Sequence, residues 1–281
     1  MLDKSKSLIA FVHIEKAAGT TFIHILRHNY FLAYMDVRPF FRESDGLFLA
    51  RDLRVARRLL PGLKCIGGHA ITPYSGLESE CPDIKFISVM RDPVKRYLSQ
   101  YQHWVEKKKL DINFEKFLAI KELKNFQTKK YAGEDNLEMA MDILREKFLL
   151  VGYVEAYDEF LVLLQQIFGS IGFEGSYRQK NLAHNKIAVN ELAERYYDQI
   201  EENNRNDIVL YEYVKDKLFP CYVQKYSGNF STDLQTFQKT NSEFNPPMMR
   251  RYVDYAFRKV YIEPVSGMIR LINGKPYKGS Y

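Results

Sequence analysis

Cysteine is scarce in this chain: three in 281 residues, Cys65, Cys81 and Cys221, widely spaced and odd in number. No CxxC pair and no cluster with metal-ligand spacing occurs, which excludes a disulfide framework and predicts reduced thiols in a cytoplasmic protein without a metal. Long apolar runs are also missing. The stretch near the N-terminus, Leu8 to Ile14, has only seven residues, too few to cross a bilayer, and lacks a signal-peptide cleavage pattern. A soluble chain with no transmembrane segment is expected. Repeats, low-complexity tracts and obvious linkers are absent as well. Tryptophan occurs once, against 20 Tyr and 19 Phe, an aromatic load that either packs a core or lines a ligand groove.

What the chain does have is enough apolar material, 46%, to bury a core, so it reads as one domain over 1–281. The surplus of 41 Lys and Arg over 35 Asp and Glu is small. It favours an anionic ligand, and no nucleic-acid partner is expected.

Along the chain, "SLIAFVHI" reads as a short buried strand, followed by helical spacing over 20–32 with Phe22, Ile25, Leu26 and Phe31 as an apolar stripe. "DLRVARRLLPG" (52–62) predicts a basic helix stopped by Pro61-Gly62, and "KCIGGH" (64–69) a strand ending in glycines. "DIKFISVM" (83–90) is a clearer strand; Asp92 then suits an N-cap and Pro93 the first helical position. Residues 111–147 read as helical with a turn near "AGEDN", 148–169 as a strand running into an apolar helix, 176–186 as a polar loop, and 187–218 as two helices. Residues 219–281 follow no readable pattern and stand as a C-terminal extension to a core at about 8–218. Strands alternating with helices predict a three-layer α/β fold, P-loop-like, with a central, mainly parallel sheet flanked by helices. Ligands on such sheets bind at the carboxyl ends of the strands, so the turns at 15–20, 67–70 and 91–93 are expected to face one crevice.

The stretch "VHIEKAAGTTFIHIL" (12–26) places small residues where a strand ends and a helix opens. Such a helix start offers free N–H groups and the positive end of a dipole, a phosphate-type site. A Walker A loop requires GxxxxGK[ST]. Here Lys16 comes first and Gly19-Thr20-Thr21 follow, so an ordinary ATPase or kinase fits poorly.

"HIEKAAGTTF" resembles the 5′-phosphosulfate loop of the sulfotransferases, in particular the heparan sulfate 2-O- and 6-O-sulfotransferase branch. "SVMRDPVKRYLSQYQHW", about 75 residues later, is similar to that branch's 3′-phosphate signature. "VGYVEAYDEFLVLL" and "NNRNDIVLYEYV" resemble later segments, and the likeness spans roughly 8–218. It implies a single sulfotransferase domain whose donor is 3′-phosphoadenosine 5′-phosphosulfate, with no metal. Lys16, the backbone of Ala17, Ala18, Gly19 and Thr20, and the hydroxyls of Thr20 and Thr21 would then hold the 5′-phosphosulfate end. Arg91 and Ser99 would hold the 3′-phosphate. A histidine in a Gly-His context between the two motifs implies His69 as the base, with Lys16 neutralising charge on the leaving oxygen.

Glu15 stands where the family has proline, and it is a rival base. Ala17-Ala18 replace Thr-Gly and remove a hydroxyl and a flexible residue. The lysines at 107–109, 121, 124, 129 and 130 are either a solvated face or a groove for an acidic glycan. Arg178 and Asn181 belong to a loop placed to close over the adenosine end. The acceptor implied is a hydroxyl on a carbohydrate or glycoconjugate. An atypical phosphate-loop kinase and a non-catalytic nucleotide-binding protein stand as alternatives.

Overall fold

The computed structural model describes residues 7–44, 46–178, 186–245 and 248–274. Its five strands are β1 (Ile9–Val12), β2 (Tyr34–Asp36), β3 (Cys65–Gly68), β4 (Lys85–Met90) and β5 (Phe148–Tyr153). The helices of the first half are α1 (Gly19–Asn29), α2 (Ala50–Leu59), α3 (Pro93–Gln102), α4 (Phe114–Leu118), α5 (Phe126–Ala132) and α6 (Leu137–Lys147). Those of the second half are α7 (Tyr157–Ile167), α8 (Lys186–Arg195), α9 (Tyr197–Asn203), α10 (Arg205–Tyr213), α11 (Phe219–Gln224), α12 (Phe230–Glu243), α13 (Met248–Phe257) and α14 (Glu263–Ile272). All strand pairs are parallel, in the order β2-β3-β1-β4-β5. The expected α/β class with a parallel central sheet and flanking helices is what forms.

The sheet is apolar on both sides, as a strand covered by two helical layers must be. Along β1, Ala10 and Val12 join one cluster, with Leu53 of α2, Ala140 and Leu144 of α6 and Leu210 of α10. Ile9 and Phe11 join the other, with Phe22 of α1 and Phe160 and Leu164 of α7. Ring edges fix that second layer: Phe11 meets Phe22 at 4.8 Å and Phe22 meets Phe160 at 5.3 Å.

The topology reverses at β1, whose neighbours β3 and β4 lie on opposite sides. Val12 is level with Gly68 on one side and with Ser88 on the other. Three chain segments therefore leave the sheet at nearly one height, into one crevice at its carboxyl edge, where this class of sheet binds ligands.

Three features differ from the sequence reading. β2 has only three residues at the sheet edge, too few to show a period. Residues 187–218 form α8, α9 and α10 in place of two helices. The unreadable C-terminal part holds α11–α14, and Phe219, Phe237 and Ile262 bury in the two main apolar clusters. Arg270 fastens the last helix by donating to the Pro39 carbonyl at 3.1 Å. Among the described residues no helix is long and apolar enough to cross a membrane.

Candidate active site

The turn between β1 and α1 is built from left-handed backbone. Lys16 has φ 69° and Ala18, the residue preceding α1, has φ 57°. Two left-handed residues one apart curl the chain into the kind of turn that forms anion-holding nests, although Ala17 N–H is already donated within the turn to the Ile14 carbonyl at 3.3 Å. Phe22 N–H, bonded to the Ala18 carbonyl at 3.2 Å, makes the first intrahelical bond. The amides of Gly19, Thr20 and Thr21 thus end α1 as the orphan donors of any helix start. No acidic side chain occupies that first turn. Thr20 is exposed at the helix start, while Thr21 is buried.

A side chain at residue 19 would force the His13 ring to move. A Cβ on Gly19 would stand 1.8 Å from Nε2 of His13. Ala18 is a different case, because an L-residue in left-handed backbone costs roughly 1–2 kcal/mol. Ala18→Gly is expected to raise unfolding stability by about 0.5–1 kcal/mol, the strain relieved less the extra entropy of an unfolded glycine. Denaturant midpoints test this; a lower midpoint for Ala18→Gly would refute strain at that residue.

Arg91 lies just beyond β4, and its Nη1 donates to the carbonyl of Lys16 at 3.0 Å. The two sequence motifs therefore meet in space. Its backbone is gripped by the Gln127 amide, which accepts from Arg91 N–H at 3.1 Å and donates to Arg91 C=O at 2.9 Å. Nε of Arg91 is buried with no hydrogen-bond partner among the described residues. As expected from sequence, Asp92 caps α3, accepting from Lys95 N–H at 2.9 Å. Ser99 is half-buried on α3, on the face it shares with Lys95 and His103. Arg96, also on α3, is fully buried over the Phe126 ring at 4.7 Å, and its three guanidinium nitrogens have no hydrogen-bond partner among the described residues.

His69 follows β3. Its ring stacks on His13 at 4.0 Å, and His13 stacks in turn on Phe11 at 5.3 Å. Nδ1 of His69 lies 3.3 Å from the carbonyl oxygen of His13. A carbonyl only accepts, so Nδ1 carries the hydrogen and Nε2 keeps the lone pair. Residue 69 is exposed at the crevice, yet desolvation of its ring, with the charges of Lys130 and Arg38, holds the imidazole below its ordinary pKa, while Glu15 and the His13 carbonyl pull the other way.

Cations dominate the crevice. Burial lowers the pKa of Lys16, as do the charges of Arg91, Lys107 and Lys108, while Glu15 opposes them. Arg91 is lowered by burial, against the pull of Glu155 and Asp92. Lys130 is pushed down to about 8 by burial, again opposed by Glu15. Such a site gains from a bound anion, because the anion relieves the mutual repulsion. Lys107 and Lys108, read from sequence as either a solvated face or a groove, are exposed yet act on Lys16. Glu15 lies among Lys16, Lys130 and His69, where it tempers the positive field.

His13 offers a check on this electrostatics. Burial first, then the charges of His69, Lys130 and Lys16, hold its pKa well below 6.5. The unfolded chain therefore binds a proton near pH 6.5 that the folded chain refuses. The stability contributed by the neutral ring is complete above about 6.5 and is lost progressively as pH falls below it. His13→Phe removes the titration and deletes no hydrogen bond at the unpartnered Nδ1, and because its longer ring presses on Gly19 and lowers stability at every pH, the test is the pH slope and not the midpoint itself. Urea midpoints between pH 5 and 7.5 should fall less steeply for His13→Phe than for the wild type. Equal slopes would show that His13 is not held neutral.

Of the residues named from sequence, Lys16, Ala17, Ala18, Gly19, Thr20, His69 and Arg91 lie at the strand ends that open on the crevice, Ser99 lies further along α3, and Thr21 is buried on the side of α1 that lines a separate cavity. Arg178 lies elsewhere. It donates to the Phe244 carbonyl at 3.3 Å and lines a cavity of about 580 Å³ beside α1, with Thr21, His24, Tyr177 and Arg250. Asn181 lies outside the described residues. Gln127 was not foreseen, since "FQTKKYAG" carries no motif; Lys130 was read only as one of a run of lysines, and Arg96, though inside the second motif, was given no role. No group of three metal-ligating side chains occurs among the described residues.

No protein-family model matches the chain, and no curated protein matches it. Among solved structures, a sulfotransferase from Alicyclobacillus acidocaldarius is similar at 16% identity and a TM-score of 0.41, over 72% of this chain and 96% of that one. Mouse sulfotransferase SULT7A1, solved in complex with PAP, is similar at 12% identity and a TM-score of 0.43, over 95% of this chain and 89% of that one. Likeness this loose carries no function from those proteins to this chain.

Proposed function

We propose that this protein is a sulfotransferase that moves the sulfuryl group of 3′-phosphoadenosine 5′-phosphosulfate to a hydroxyl of a carbohydrate or glycoconjugate. The observation that carries the reading is the bond from Arg91 to the Lys16 carbonyl. It joins the phosphosulfate-like loop and the 3′-phosphate-like loop into one cationic crevice. A kinase places its lysine at the helix start, after the glycine loop. Here Lys16 precedes α1 by three residues and its own backbone forms part of the nest.

In this reading the nest, Lys16 and the first amides of α1 hold the 5′-phosphosulfate, while Arg91 and Ser99 hold the 3′-phosphate. Nε of Arg91, buried without a partner, supplies a donor of the kind a phosphate oxygen takes up. The acceptor hydroxyl gives its proton to Nε2 of His69 as its oxygen attacks sulfur. The bond from sulfur to the bridging oxygen breaks, and the charge that collects on the departing phosphate meets Lys16 and the α1 dipole.

Adenosine 3′,5′-bisphosphate, the spent donor, is expected to stabilise the fold by about 2.7 kcal/mol at a hundred times its Kd. ATP should stabilise far less, because it lacks the 3′-phosphate. Thermal unfolding with each nucleotide decides the point; equal stabilisation by ATP would sink the donor assignment.

A further inference from the structure

Helix α5 has only seven residues, yet it ties together the ends of three strands. Its first turn is held from below by Asp207 of α10. That buried carboxylate accepts from Gln127 N–H at 2.9 Å, Thr128 N–H at 2.7 Å and the Thr128 hydroxyl at 2.8 Å. From this base the helix extends three side chains. Gln127 grips the backbone of Arg91 from both sides. The Tyr131 hydroxyl donates to Ser88 at 2.9 Å, and Ser88 donates to the carbonyl of Val12 at 2.8 Å. Lys130 donates to the backbone carbonyl of His69. The last bond is the informative one, because it ties a cation whose charge acts on the imidazole to the loop that carries His69.

We propose that α5 is a strut that sets the His69 loop against the Arg91 loop, and that Lys130 is the positioning residue for His69. The inference rests on the sulfotransferase reading for its meaning in turnover, though not for the geometry. Lys130 acts twice on its target. Its hydrogen bond fixes the loop that carries the imidazole, and its charge makes protonation of that imidazole harder. The other charged and titratable groups facing His69 are Glu15 and His13 on the β1 side and Arg38 beyond β2. Glu15 and the hydrogen bond to the His13 carbonyl favour the imidazolium, while desolvation, Lys130 and Arg38 keep the ring neutral and base-competent.

The test uses the full-length protein with Lys130→Met, which keeps the apolar stem, and Lys130→Arg, which restores the charge. The His69 ring is titrated by NMR in each. Lys130→Met is expected to raise the His69 midpoint by roughly half a pH unit, the effect of one unit charge several ångströms away. Lys130→Arg should return it most of the way. With the sulfuryl donor and a glycan acceptor, Lys130→Met should lower kcat about tenfold and move the rising limb of the pH profile upward. The Kd for adenosine 3′,5′-bisphosphate should change no more than about twofold. An unmoved His69 midpoint, or a loss of nucleotide affinity as large as the loss of kcat, would overturn the proposal. If the wild type transfers no sulfate at all, the reading of the reaction fails while the NMR arm still decides whether Lys130 governs His69.

Discussion

Lys16→Ala is expected to lower turnover about 10²–10³-fold, the usual consequence of removing a group aimed at charge that develops in the transition state. Binding of adenosine 3′,5′-bisphosphate should weaken by a smaller margin, about 1.5–3 kcal/mol, the worth of a hydrogen bond to a charged group. The turn itself should survive. Alanine occupies a positive φ about as poorly as lysine, and Arg91 still finds the carbonyl of residue 16. The asymmetry between turnover and binding is the signature, since Lys16 interacts more strongly as the bridging oxygen gains charge. Steady-state rates beside nucleotide titrations separate the two effects. Turnover near the wild-type level would remove Lys16 from the chemistry.

His69→Ala should leave nucleotide affinity nearly unchanged and lower the rate by about 10²–10⁴-fold. The rising limb of the pH profile should lie below the ordinary histidine value, because desolvation and nearby cations depress the imidazole, and it should vanish in the variant. Glu15→Gln is the companion measurement. It removes the carboxylate that lies among Lys16, Lys130 and His69, so its first effect should be to lower the His69 midpoint and carry the limb to lower pH. A large loss of rate in Glu15→Gln with a small one in His69→Ala would transfer the base role to Glu15. Loss of nucleotide binding in His69→Ala would make the histidine structural.

The sheet and the crevice were legible because their signals are local. "SLIAFVHI" and "DIKFISVM" are short apolar runs with β-branched residues, and Asp92-Pro93 announces a helix start through capping and a fixed φ. The convergence of residues 15–20, 67–70 and 91–93 follows from parallel strands sharing one carboxyl edge. Ala18 shows where local reading stops. Its replacement of a family glycine reads as lost flexibility, yet the left-handed geometry is kept and the strain accepted. The roles of Lys130, Gln127 and Asp207 were illegible for another reason. Their roles exist only after α5 and α10 pack across the strand ends, and nothing in "FQTKKYAG" or "NRNDIV" encodes a partner 36 to 80 residues away. The last four helices were missed although α13 and α14 are amphipathic, because Pro220, Pro264 and Gly267, which read as breakers, sit in the first turns or interior of α11 and α14.

Transfer of labelled sulfate is the measurement closest to the central claim. Purified protein is incubated with donor carrying a radiolabelled sulfuryl group and a panel of glycans and glycolipids, without added metal, beside the Lys16→Ala and Arg91→Ala variants. The account predicts label in an acceptor, one adenosine 3′,5′-bisphosphate released per sulfate transferred, and loss of that label in both variants. Phosphoryl transfer from ATP with magnesium, in the absence of any sulfuryl transfer, would contradict it and make the crevice that of a kinase.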